Sequence, residues 1–181
     1  MAGRVAGEAR RLTLLSVALL GVGAGAAATD PVQVLAGRYS WHFENGDVFG
    51  GIHFSDDVAE IVPVDTAHAY VRFKLNFFNG HTCSLAGIAD RQGDALVYQG
   101  LPDDVFASDG RPCHLTIRRQ GAKLTWDDDG TCKGHCGVRG SFGNGELDWS
   151  SKRPIRYLAK LKRSEDYRGA LVEWRTGKPV P

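Results

Sequence analysis

From Tyr39 onward, apolar and polar residues alternate. Tyr39, Trp41 and Phe43 alternate with Ser40, His42 and Glu44; Val71, Phe73, Leu75 and Phe77 with Arg72, Lys74 and Asn76; Leu115 and Ile117 with His114 and Thr116. A period of two sends successive side chains to opposite faces of a strand, so each set is expected to bury one face and wet the other. Ile52 with Phe54, Ile61 to Val64, Leu96 to Tyr98 and Leu124 with Trp126 complete the predicted strands. Pro63 has no N–H for a ladder, so its strand is an edge or ends there. Turn dipeptides punctuate the pattern at Asn45-Gly46, Asp56-Asp57, Asn79-Gly80, Gln92-Gly93, Asp109-Gly110, Gln120-Gly121, Asp129-Gly130 and Asn144-Gly145. Short strands at such spacing predict a mainly β domain, an antiparallel small barrel or sandwich of seven to eight strands with a C-terminal helical segment.

The hairpin at Asn79-Gly80 admits two registers. A two-residue loop sets Phe73 opposite Ala86 and Val71 opposite Ile88, with Cys83 on the other face beside Asn76. A bulged three-residue loop sets Phe77 opposite Cys83 and Leu75 opposite Leu85, which turns the cysteine into the core. Apolar residues on both faces of the second strand predict a central position for it.

After Ser150-Ser151 the pattern changes. Residues 153–174 read as helix, with Pro154 near a start, Ser164 as the cap of a second segment, and Tyr167, Leu171 and Trp174 on one stripe. Ile155, Tyr157, Ala159 and Leu161 also alternate as a strand would. The stripe predicts that this tail docks on the body.

At the other end, Arg4, Arg10 and Arg11 face the single acid Glu8, an apolar run follows from Leu12, and small residues close the segment at Ala26-Ala27-Ala28. These are the parts of a secretory signal peptide over residues 1–28, with cleavage expected after Ala28. Gly21, Gly23 and Gly25 interrupt the apolar run before it reaches the ~20 residues of a membrane span. Arg10-Arg11 invites a twin-arginine reading, but Thr13 stands where that signal wants a large apolar residue. The expected location is periplasmic or secreted, with no stable membrane span in the mature chain. Three segments follow: a signal peptide at 1–28, an antiparallel β domain at 29–151, and a basic helical tail at 152–181.

Composition adds exclusions. A formal net charge of +1 lacks the strong positive balance of a nucleic-acid binder. The charge is unevenly placed: residues 29–151 hold seventeen acidic and ten basic side chains, residues 152–181 three and nine.

Cys83, Cys113, Cys132 and Cys136 form an even set which, in an exported chain, reads as two disulfides. The expected pairing is Cys132 with Cys136, closing a short loop that Gly134 can turn, and Cys83 with Cys113 across the barrel wall. If the strand at Leu96 to Tyr98 lies between the latter two, they stand about 10 Å apart, and a crossed pairing with Cys132 and Cys136 replaces this one. The alternative is a soft metal site built on Cys132-x3-Cys136 with His135 and either His81 or His114. Cys83 and Cys113, thirty residues apart, provide no second ligand pair, so neither a metal nor a cofactor is expected.

An enzyme would draw on His81 or His114 as base and Asp90 or Asp94 as orienter, a hydrolase-type arrangement. No nucleophile elbow, paired-histidine helix or phosphate-cradling loop accompanies them. The densest unusual stretch runs from Gly130 to Phe142, where glycines and a disulfide would preorganise a loop presenting His135 and Arg139; an internal ion pair is the alternative role for Arg139. Asp127, Asp128 and Asp129 form either a solvated turn or an acidic loop for a basic partner. Thr131 and Lys133 break the acidic alternation a calcium loop needs.

The segments Glu60-Ile-Val-Pro-Val, Ala69-Tyr-Val-Arg-Phe, Asn79-Gly-His-Thr-Cys, Ala86-Gly-Ile-Ala and Cys136-Gly-Val-Arg-Gly-Ser-Phe resemble a group of uncharacterised exported proteobacterial small β-proteins. The most specific piece is Cys-x3-Cys-Gly-x-Arg-Gly. These proteins are similar in plan to small periplasmic lysozyme inhibitors of β-barrel type. The resemblance implies an exported barrel. Known inhibitors insert a Ser/Gly-rich loop into the enzyme cleft; no such loop is matched here, so no site residue is carried over. The function expected is a non-catalytic envelope protein that binds another macromolecule, a basic envelope hydrolase or a cell-wall component, with lysozyme inhibition as its sharpest form. A small hydrolase and a purely structural envelope protein are the alternatives.

Overall fold

The computed structural model describes Gly3, residues 30–102 and residues 110–179. The expected signal segment lies outside the described residues apart from Gly3. Eight strands follow one another in a single antiparallel sheet: β1 Gly37–Gly46, β2 Ile52–Pro63, β3 His68–Asn76, β4 Thr82–Gln92, β5 Ala95–Gln99, β6 His114–Gln120, β7 Lys123–Asp127 and β8 Gly145–Asp148. The sheet curls into a nearly closed barrel because its inward positions are apolar throughout: Tyr39, Ile61, Val71, Phe73, Leu75, Leu85, Leu96, Leu115, Ile117, Leu124, Trp126 and Leu147 share one buried cluster. β8 lies beside β1 without a ladder. The seam is closed by the chain after β8, where Arg38 and Arg153 exchange backbone hydrogen bonds of 2.9 and 2.8 Å. Trp149 fills it, 5.5 Å from the Tyr39 ring and 4.3 Å from the Arg119 guanidinium. A one-turn helix, α1 (Pro31–Val34), packs where β1 begins, with Val32 and Leu35 buried and the Tyr39 hydroxyl donating to the Leu35 carbonyl at 3.0 Å.

The structure corrects several expectations. Ile52 with Phe54 and Ile61 to Pro63 belong to one long strand, β2, and Asp56-Asp57 lies inside it as part of the ladder with Trp41 and His42. β2 ends at Pro63, as its missing N–H requires. The turn expected at Asn45-Gly46 falls three residues later, at Val48-Phe49, because Asp47 organises it. β8 carries too few residues to show alternation and was not among the predicted strands. Tyr39 is buried, but Trp41, two residues further on the same face, is 56% exposed, because the β1–β2 hairpin outruns the core.

Neither expected hairpin register is observed. Leu75 faces Cys83 and Phe73 faces Leu85 across a five-residue connection, Phe77 to His81. Asn79 and Gly80 both take positive φ, 60° and 72°, in a short 3-10 turn that the simple hairpin loops do not contain. Cys83 is nevertheless buried, as the bulged loop would have placed it. β4 is central, between β3 and β5.

The disulfides are Cys83–Cys136 and Cys113–Cys132. The expected pairing is therefore wrong and the crossed one is correct. β5 lies between β4 and β6 and keeps Cys83 and Cys113 out of reach, while the long β7–β8 connection returns to both. No cysteine is free, so the metal alternative loses its thiolate ligands.

The tail is helical in part. Residues 152–157 are not helical, α2 is a single turn (Leu158–Leu161), and α3 runs from Glu165 to Thr176, capped by the Ser164 hydroxyl at the Tyr167 N–H and ended by Gly177 in the left-handed conformation. It docks on the outer face of the sheet. Leu161, Tyr167 and Ala170 cover Val62, Tyr70 and Ile88, while Trp174 sits at the margin against His68. Under the same cover lies Glu60, fully buried, with Arg38 at 3.1 Å, Arg72 Nε at 2.8 Å and the Tyr157 hydroxyl donating to it. Two guanidinium groups and a phenol satisfy a carboxylate that would otherwise be costly to bury. No helix among the described residues is long and apolar enough to cross a membrane.

Candidate functional site

The antiparallel meander places the β1–β2, β3–β4, β5–β6 and β7–β8 connections at one end of the barrel, opposite α1. Three of them form a continuous surface. The β1–β2 hairpin projects furthest, with Phe49 94% exposed at its tip. Trp41 and Phe43 stack on one face at 4.5 Å, while Phe54 stacks on His42 at 5.0 Å on the other, beside the exposed Ile52. The tip is braced: Asp47 accepts the Phe49 and Gly51 N–H groups at 2.8 and 2.9 Å, and these donors hold its carboxyl below the usual carboxylate range. Asn45 ties the hairpin to the β3–β4 turn by donating to the Phe77 carbonyl at 3.1 Å. Between hairpin and turn lies an open cleft of about 560 Å³ lined by Trp41, Phe43, Ile52, Phe77 and Phe78. Burial pushes the Asp57 carboxyl on its wall upward, against the hydrogen bond it accepts from the Asn76 N–H at 2.6 Å.

The β7–β8 connection completes the surface. Cys136 anchors it to β4, the Gly137 N–H donates to the Thr82 carbonyl at 2.8 Å, and Lys133 donates to the carbonyls of Gly137, Val138 and Gly140. A Cβ on Gly140 would stand 2.7 Å from the Cys83 sulfur, so the close approach requires glycine. Val138, 84% exposed, and Arg139 are thus carried on a stapled loop. Among the described residues Arg139 makes no ion pair.

The other candidate residues are placed differently. His135 is half-buried with its ring edge-on to Tyr98, and is not presented with Arg139. Asp127 and Asp129 are exposed, but Asp128 is buried and builds the turn, accepting the N–H groups of Gly130 and Cys132, both at 3.1 Å. Asp127 accepts from the Asn144 N–H at 3.0 Å. The run is thus a structural turn more than a free acidic loop. Asp128→Ala should lower stability by about 1–3 kcal/mol by leaving those donors unsatisfied, a change readable in urea unfolding.

His81 and His114 lie at the loop end, whereas Asp90 and Asp94 lie at the far end, separated from them by roughly 25 Å of strand. The acid–base sets proposed from sequence do not assemble. Asp90 instead flanks His68 at 3.5 Å, with Asp65 on its other nitrogen at 2.8 Å. Among the described residues, no group of three or more His, Cys, Asp or Glu is arranged to hold a metal ion. The exposed hairpin escaped sequence reasoning because strict alternation reads as burial. The only available signal was the density of aromatics on both sides of Asp47-Val-Phe-Gly-Gly. No family model, curated protein or solved structure matches the chain.

Proposed function

We propose that the protein is an exported, non-catalytic envelope protein that binds another macromolecule through the loop end of its barrel, with inhibition of a basic, lysozyme-type hydrolase as the sharpest form. The observation that carries this reading is the apolar lining of the loop-end cleft, Trp41, Phe43, Ile52 and Phe78, beside the exposed Phe49 at the hairpin tip, on a scaffold braced by Asp47, Asn45 and the Cys83–Cys136 disulfide. Single exposed apolar residues are ordinary, but a contiguous aromatic group on a fixed scaffold has the character of an interface core. Bracing lowers the entropy cost of binding. The acidic excess of residues 29–151 would steer a basic partner towards it. Two disulfides suit an oxidising compartment, in line with the signal segment read at 1–28.

The test has two arms. Mixed with basic lysozymes at low and moderate salt, the protein should form a complex and slow cell-wall hydrolysis; no complex at either salt discards the inhibitory form. Immobilised protein should capture a partner from envelope extract, and Phe49→Ser with Ile52→Ser should abolish capture without changing the melting temperature. Equal capture by parent and variant would overturn the loop-end reading.

A further inference from the structure

The cleft between the β1–β2 hairpin and the β3–β4 turn combines aromatic walls with a single sign of charge. Among the described residues, its charged lining consists of Glu44 and Asp57, with no lysine, arginine or histidine. Asp57 stands opposite Trp41 in the β1–β2 ladder, so its carboxyl projects on the face that carries Trp41 and Phe43, whereas alternation turns Glu44 to the other face. Asp57 is half-buried and accepts from the Asn76 N–H at 2.6 Å, yet makes no ion pair among the described residues. The neighbouring charge is a second acid, Asp56, which His42 engages at 2.9 Å. Burial first, and Asp56 after it, push the Asp57 carboxyl upward against its Asn76 hydrogen bonds, so a cation beside it would relieve what the fold leaves uncompensated. The walls facing it are the half-exposed rings of Trp41 and Phe78, with Trp41 stacked on Phe43 at 4.5 Å.

We infer that this cleft receives a basic side chain, a lysine or arginine of the bound macromolecule, with the alkyl stem against Trp41, Phe43 and Phe78 and the cationic head at Asp57. The inference rests on the loop-end reading above and names what that surface recognises. An apolar side chain would cover Asp57 without giving its charge a partner, which is unfavourable. An anion would meet like charge. A neutral polar group could hydrogen-bond to Asp57 but would gain little from aromatic faces, whose negative potential attracts a cation. Lysine and arginine combine an alkyl stem that lies along apolar surface with a charged tip. The acidic excess of residues 29–151 acts in the same sense at longer range, drawing in the basic partner whose side chain Asp57 then holds. Asn45, donating to the Phe77 carbonyl, fixes the two walls relative to each other before the occupant arrives.

The full oxidised protein can be titrated with n-butylammonium and n-butylguanidinium, and with n-butanol as the neutral control, while the Trp41 indole N–H is followed by NMR. Trp41→Phe assigns that signal. Both cations should shift it saturably in the millimolar range, and the tighter of the two identifies lysine or arginine as the natural occupant. Butanol should bind at least about tenfold more weakly, the factor a hydrogen bond to a charged group commonly supplies, and this comparison needs no variant. Asp57→Asn keeps an acceptor for the Asn76 N–H, and should lose about tenfold in cation affinity with no fall in melting temperature. Trp41→Leu, at an exposed position, should weaken both cations while sparing butanol. No saturable shift with either cation, butanol binding as tightly as the cations, or Asp57→Asn binding them as the parent does would each overturn the inference. Capture from envelope extract is scored apart. Cation binding with no captured partner keeps the cation site and discards the macromolecular reading; capture that Asp57→Asn leaves undiminished keeps that reading and overturns this one.

Discussion

Deletion of the tail from Lys152 onward should destabilise the barrel by several kcal/mol. Three contributions act together. Val62, Tyr70 and Ile88, all buried under Leu161, Tyr167 and Ala170, would face water at about 1.5–3 kcal/mol each for full exposure. Glu60 would lose the Tyr157 hydroxyl and the cover that shields its ion pairs with Arg38 and Arg72. The seam would lose the Arg38–Arg153 hydrogen bonds and the Lys152 ammonium, which donates to the Val34 carbonyl and stands 4.8 Å from the Trp149 ring. Against a typical total of about 5–15 kcal/mol, such a loss is large. Urea unfolding of full-length and truncated protein measures it. An unchanged midpoint would mean that the docked tail contributes nothing, and would free it for a partner. Glu60→Gln separates one part of the sum. It keeps the shape but leaves two guanidinium groups without their counter-charge, and should itself cost about 3 kcal/mol, in the range seen when a buried pair loses one partner.

Replacing Cys83 and Cys136 together by serine should cost about 4 kcal/mol, and the same change at Cys113 and Cys132 about 3 kcal/mol, because loop-closure entropy grows with the separations of 53 and 19 residues. The two variants should differ in kind as well. Cys83–Cys136 holds the Val138-Arg139 loop against β4, so its loss should open that loop to proteases before the barrel unfolds, whereas loss of Cys113–Cys132 should not. Limited proteolysis with mass mapping of the cut sites distinguishes them. Cleavage appearing first elsewhere, or an equal stability loss in both variants, would show that the loop is held by Lys133 and the Gly137–Thr82 hydrogen bond without the staple. The oxidised parent, denatured, should take up no alkylating label.

Much of the architecture was legible in the residues themselves. Alternation of two from Tyr39 to Trp126, turn residues between the runs, and a capped amphipathic stripe after Ser164 are local signals, and strand order in a meander follows from short connections alone. Ser164 capping α3, Pro63 ending β2 and the central place of β4 each rest on one residue's hydrogen-bonding chemistry or on a two-faced pattern, so tertiary context did not alter them. An even cysteine count likewise pointed to two disulfides before any contact was known.

Partnership was decided by tertiary structure alone. Which cysteines meet depended on β5 standing between β4 and β6, a fact about sheet order and not about spacing along the chain. Trp41 and Tyr39 have the same local pattern, yet one is exposed and the other buried, because burial depends on whether an opposite wall exists at that height of the barrel. Asp128 looks like its neighbours in sequence but turns inward to cap its own loop, and Glu60 reads as a surface acid until α2 and the Tyr157 segment close over it. Periodicity reports which face a side chain takes, since that follows from backbone geometry within a few residues. What lies across from that face is determined by residues tens or a hundred positions away, and only the folded chain brings them together.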